Sequence, residues 1–135
     1  MCFFIPEDQE VQIADKDITC FKSVWANTYP FKYVYSLYQN FEYHFNEIYR
    51  KADFPVIKNE HNITNDKIKI IYKGFHSHMK LNKTIKRQSS IYNTIIVKCV
   101  IPKGSKYFFN DQYNEYVSGL IIIKKWKRFM RMFYW

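Results

Sequence analysis

The side chains best suited to chemistry in this chain are four histidines, three cysteines and a surplus of cations. His76 and His78 stand two apart, so on a strand both face one side, as a pair of metal ligands does. No third ligand follows them, and neither an HExxH nor a Cys/His spacing completes a set, so no metal or other cofactor is expected. The expected role is that of a turn histidine bonded to backbone. An alternative pairs His44 or His61 with His76 as the acid and base of a metal-free RNase. Such an enzyme needs two groups titrating near neutrality and cations for the phosphate. Cys20 and Cys99 fall in apolar strand-like runs, where desolvation quiets a thiol. Ser89-Ser90 has no GxSxG setting, and three glycines make no phosphate loop. The 12 carboxylates form no spaced pair on a recognisable motif. Binding is therefore expected ahead of catalysis.

The cations concentrate in two places. Lys80, Lys83, Lys86 and Arg87 follow Ser77, which can cap a short helix with Leu81, Ile85 and Gln88 on one side and Lys80, Lys83 and Arg87 on the other. The carboxyl-terminal tail 126–135 holds Lys127, Arg128 and Arg131 among Trp126, Phe129, Met130, Phe133 and Trp135. As a helix it separates an apolar face from a basic one. Either set can hold phosphates while neighbouring rings stack on bases, so both are candidate sites for RNA or a partner protein. A plain solvated surface, or an apolar face packed on the sheet, is the competing reading.

The elements that must carry these residues read as one domain over 1–135, of α+β class. It is mainly an antiparallel sheet with one or two amphipathic helices. Thr94 to Ile101 is nearly continuous and β-branched, as for a central strand buried on both faces, and Pro102 stops it. Lys16 to Lys22 alternates, placing Ile18, Cys20 and Lys22 on one side. Met1 to Ile5, Ile68 to Tyr72, Tyr107 to Phe109 and Val117 to Lys125 read as further strands, and 58–67 reads as a polar loop. After Asn27-Thr28-Tyr29-Pro30, residues Val34, Leu37, Tyr38, Phe41, Phe45, Ile48 and Ala52 recur at helical spacing, so a helix is expected over about the first half of this segment. Its second half stays open, because Phe41, Tyr43 and Phe45 also alternate as on a strand, with Asn46-Glu47 as its turn.

Composition sets the remaining bounds. A chain of 135 residues, 47% hydrophobic and 20% aromatic, can form one core. The 12 Tyr and 12 Phe accompany abundant Ile, Asn and Lys, as in AT-rich genes. The formal charge of +9 favours phosphate, nucleic acid or an acidic protein face. Three cysteines without CxxC spacing fit a reducing cytoplasm, and no signal peptide or membrane span is expected.

Ile18-Thr19-Cys20-Phe21-Lys22, Gly74-Phe75-His76-Ser77, Cys99-Val100-Ile101-Pro102-Lys103-Gly104-Ser105 and Tyr116-Val117-Ser118 occur in an order that resembles a family of small proteins of Bacteroidetes and their phages. The family pattern runs TCYK, then Y…G..Y where this chain has Tyr43 to Tyr49, then GFHS, CIIPKGS.YY and YVS..I.I. It covers most of the chain up to Lys125, with Asn46 standing where a glycine is usual and the tail from Trp126 as an addition. The resemblance implies a phage accessory protein, cytoplasmic in a bacterial host, that blocks a host defence by binding. It is similar in character to anti-CRISPR proteins, including the inhibitor of the type VI-B RNA-guided RNase. The implied partner is a CRISPR effector nuclease or its ribonucleoprotein, with RNA as a possible contact and no membrane. A small metal-free RNase or toxin and a plain RNA-binding module are the alternatives.

Overall fold

A computed structural model describes residues 3–25, 33–36, 41–61, 63–80, 94–124 and 130–131. Among these residues there are strands and turns and no helix, so the expectation of an α+β fold is corrected to an all-β one. The strands are β1 (Phe3–Pro6), β2 (Gln12–Ile13), β3 (Ile18–Trp25), β4 (Tyr33–Ser36), β5 (Glu42–His44), β6 (Ile48–Arg50) and β7 (Ile57–His61). They continue with β8 (Lys67–Ile71), β9 (Phe75–His78), β10 (Thr94–Ile101), β11 (Lys106–Asn110), β12 (Glu115–Ser118), β13 (Leu120–Ile123) and β14 (Met130–Arg131).

The axis of the fold is the antiparallel pair β3–β10, in register from Ile18 opposite Ile101 to Trp25 opposite Thr94. As its β-branched run predicts, β10 is central: Ile95, Ile96, Val97, Cys99 and Ile101 are all buried. Both outer edges of this pair are shared. On β3, Phe21 pairs with His78 of β9, whereas Val24 and Trp25 pair with β4. On β10, Ile95 and Ile96 pair with β14, whereas Cys99 and Val100 pair with β13. From β3 the path runs through β4 to β5, across the turn at Phe45-Asn46 into β6, and back through β13 and β10 to β3. This closed path surrounds a core that includes Val34, Tyr43, Val97, Ile121 and Ile123. In the other direction the sheet continues from β9 through β12 and β11 to β2.

The opposite face of β11 and β12 meets a second sheet, ordered β1-β8-β7. Between them lie Phe3, Ile5, Phe54, Ile71, Phe108 and Val117. Phe54 fills a slot made by two glycines. A Cβ at Gly119 would lie 2.9 Å from the Phe54 ring, and one at Gly74 would lie 2.8 Å from that ring and 2.5 Å from Val117.

The helix expectations are corrected where their residues are described. The first half of the segment after Pro30, expected as a helix, forms β4 where it is described, and the half left open takes its strand alternative as β5 and then β6, because its Tyr and Val side chains suit a pleated surface and Val34 and Tyr43 point into the closed core. Asn46 has φ of 67°, a left-handed conformation that Gly and Asn tolerate, which explains how Asn serves at the tight turn. Ser77 is not a helix cap, since it is buried within β9, between β3 and β12, and residues 81–88 of the helix expected after it lie outside the described residues. The tail is extended at Met130–Arg131, where it adds to β10, so the basic and apolar faces of a helix do not form there. Two smaller differences concern 58–67, of which β7 occupies the first part, and 117–125, which Gly119 divides between β12 and β13.

Candidate aromatic and cationic site

The period of a strand puts Cys20, Lys22 and Val24 on the core face of β3. Cys20 lies directly opposite Cys99, and their Sγ atoms are 3.2 Å apart. Lys22 sits where β9 and β4 part along the edge of β3. There its ammonium donates to the carbonyl oxygen of His76 at 2.6 Å and lies 5.9 Å from the centre of the Tyr43 ring. Sequence alternation gave the correct face, but the purpose of a half-buried lysine in that row follows from the parting of the strands. A carbonyl left without a ladder partner takes a side-chain donor instead.

Burial lowers the pKa of Lys22, and the nearby thiols and Glu115 oppose that shift. The same burial holds the Cys99 thiol well above its ordinary pKa. For Cys20, burial acts upward too, but the Cys99 thiol, the Ser77 hydroxyl and the charge of Lys22 together leave it lowered. The Ser77 hydroxyl is buried and makes no well-formed hydrogen bond, so the contacts from Cys99 and Lys22 are the firmer causes.

Beside Lys22 is a cluster of four rings. Phe41 lies 5.0 Å from Tyr43, 5.5 Å from Tyr49 and 6.3 Å from Phe75, all with tilted or edge-on planes, the arrangement that ring quadrupoles favour. The ammonium of Lys51 stands 5.1 Å from the Phe41 ring centre and 5.3 Å from that of Phe75, within cation–π range. Tyr49 accepts the backbone N–H of His44 at 2.6 Å and donates to Glu47 at 3.3 Å, which ties the β5–β6 turn to the cluster.

The aromatic surface extends onto β12 and β11. Tyr116 is opposite Ser77 on one side and Phe109 on the other, and Tyr107 is opposite Ser118. The alternate residues Val117 and Phe108 enter the second core, so Tyr107, Phe109 and Tyr116 share the other face. Their rings meet at 5.9 Å for Tyr107 and Tyr116, and 4.8 Å for Phe109 and Tyr116. All three are half-buried, as are Lys22 and Lys51. Sequence reasoning passed over this set. The available signal was the pair of alternating runs 107–109 and 116–118 around the turn at 110–114, whose register puts the three rings together.

On the reverse face, His76 Nδ1 is 3.2 Å from Glu115 Oε1, with the Phe3 ring edge-on at 5.9 Å. His44 instead contacts Glu42 at 2.7 Å, and His61 is exposed at the end of β7. The His76 imidazole thus meets a carboxylate, in a strand and not in a turn. His76 and His78 do share one side of β9, as their spacing requires, and the described residues contain no cluster of three or more His, Cys, Asp or Glu able to hold a metal.

Of the basic and aromatic residues singled out in the sequence, Lys80 is exposed in the bend after β9, and Arg131 has its backbone in β14 opposite Ile95. Lys83, Lys86, Arg87, Trp126, Lys127, Arg128, Phe133 and Trp135 lie outside the described residues. Comparisons with protein-family models, curated proteins and solved structures found no match.

Proposed function

We propose that this protein acts by binding rather than by catalysis, and that its partner is RNA, alone or carried in a ribonucleoprotein. The observation that carries this reading is the row Tyr107, Tyr116 and Phe109, half-exposed on one sheet face and continuous with a ring cluster that bears Lys22 and Lys51. Bases stack on such rings with about 1–3 kcal/mol each and little sequence preference. The charge of +9 draws the phosphate backbone toward the protein, and Lys80, Lys83, Lys86, Arg87, Lys127, Arg128 and Arg131 contribute to that field. In its specific form, suggested by the resemblance to the phage family, the protein blocks a host RNA-guided nuclease of the type VI-B kind by engaging the effector, its guide RNA or both.

Two linked measurements test this. The log affinity for a labelled single-stranded RNA should fall linearly with log salt. Cleavage of target RNA by a type VI-B effector should also fall when the protein is present. RNA binding without inhibition would retain the coarser reading and remove the specific one, and neither effect would remove both.

The contact between His76 and Glu115 supports a second reading, a metal-free RNase in which the carboxylate orients the imidazole as general base. Incubation with labelled RNA for hours at micromolar protein distinguishes the two. Cleavage that His76→Ala abolishes would favour the enzyme, and intact RNA would remove it.

A further inference from the structure

The binding reading leaves the two buried thiols unused. Cys20 and Cys99 are register partners on the two central strands, both fully buried, with Sγ atoms 3.2 Å apart. Residues directly opposed in an antiparallel pair have Cα atoms about 4.5–5.5 Å apart. That falls within the range of about 4.4–6.8 Å that a disulfide spans. Closing the bond requires the sulfurs to approach by only about 1.2 Å, which side-chain rotation can supply without separating the strands.

We propose that Cys20 and Cys99 form a two-electron thiol switch that closes reversibly into a cross-strand disulfide when the protein meets a peroxide. In the first step the Cys20 thiolate attacks one peroxide oxygen and the O–O bond breaks. This leaves a sulfenic acid on Cys20, and the departing hydroxide takes a proton to become water. In the second step the Cys99 sulfur attacks the Cys20 sulfur, and the displaced hydroxide leaves as water with the Cys99 proton. Two thiols and one peroxide become one disulfide and two waters. The surroundings assign the order: Cys20 has Lys22 and the Cys99 thiol to favour its anion, whereas burial keeps Cys99 protonated until it resolves the sulfenic acid. The new bond would fasten together the strand pair on which the rest of the sheet is built.

The test uses the full chain with its cysteine at position 2 replaced, Cys2→Ser, so that its two remaining thiols are this pair. The folded protein is treated with hydrogen peroxide, quenched, unfolded, alkylated and mapped by mass spectrometry. The expected product has lost two hydrogens, yields a peptide joining Cys20 to Cys99, regains both thiols in dithiothreitol and melts at a higher temperature than the reduced form. In Cys99→Ala on the same background, Cys20 should gain one oxygen and react with a sulfenic-acid probe. The proposal is overturned if both thiols remain alkylatable at peroxide levels that oxidise the same protein once unfolded. It is overturned equally if they gain oxygen without joining. Should the Cys99→Ala chain fail to fold, the Cys2→Ser result decides alone.

Discussion

Replacing the glycines that hold Phe54 tests how the aromatic face is positioned. Phe54 packs between Gly74 and Gly119, and β12, which carries Tyr116 on its other face, ends at Ser118, directly before Gly119. A methyl at position 119 would lie 2.9 Å from the ring, tighter than any relaxed contact, so Gly119→Ala should cost about 1–3 kcal/mol as overpacking. At position 74 the added carbon would meet Val117 at 2.5 Å, and φ of 149° adds backbone strain of about 1–3 kcal/mol, for a total of about 2–6 kcal/mol. For a chain of this size each kcal/mol lowers Tm by about 4 °C. The assay is urea and thermal unfolding followed by circular dichroism. Phe54→Leu, which thins the ring, should recover part of the loss in the Gly119→Ala background and give a coupling above about 0.5 kcal/mol in a double-mutant cycle. If Gly74→Ala melts like the parent, the slot does not confine Phe54 and the positioning argument fails.

The buried phenol of Tyr43 has its pKa raised, chiefly by desolvation. Its contribution is therefore fully present below the ordinary tyrosine pKa of about 10 and is lost as pH rises further, with a slope of up to about 1.4 kcal/mol per pH unit. Cys99 acts in the same direction from about pH 8.5, whereas Lys22, whose pKa is lowered, gains stability only until pH reaches the ordinary lysine pKa of about 10.4 and not beyond it. Tyr43→Phe should accordingly flatten the alkaline fall in stability above about pH 10 in denaturant titrations, and an unchanged limb would mean that Tyr43 ionises freely. Reversing Lys80, Lys83 and Arg87 to Glu should weaken RNA binding most at low salt. Equal affinity at low salt would remove these side chains from the electrostatic surface.

The central strand was legible because its signal is composition itself: the nearly continuous β-branched run from Thr94 to Ile101, interrupted at Lys98 and Cys99, reads as a strand buried on both faces. Strand β3 was legible as well, by alternation through Cys20 and Lys22. The segment from Tyr33 to Arg50 misled because its aromatic residues fit both a helical and an alternating period, and the choice was made by distant partners. Val34 and Tyr43 reach the core only when β4 pairs with the end of β3 and β6 pairs with β13. The candidate site was hidden for a related reason. Tyr107, Phe109 and Tyr116 gain meaning from hairpin register, and Lys22 from the parting of β9 and β4, neither of which a linear scan for charged runs detects.

The most direct test of RNA recognition by the aromatic face is the affinity of Tyr107→Leu/Phe109→Leu for a single-stranded RNA, measured beside the parent at two salt concentrations. Leucine keeps apolar contact with Tyr116 but removes two stacking surfaces. At about 1 kcal/mol or more per ring, the double variant should bind at least about 30-fold more weakly. Its salt dependence should match the parent's, because no charge is lost. A folded double variant that binds RNA as tightly as the parent would contradict the assignment of this face to RNA.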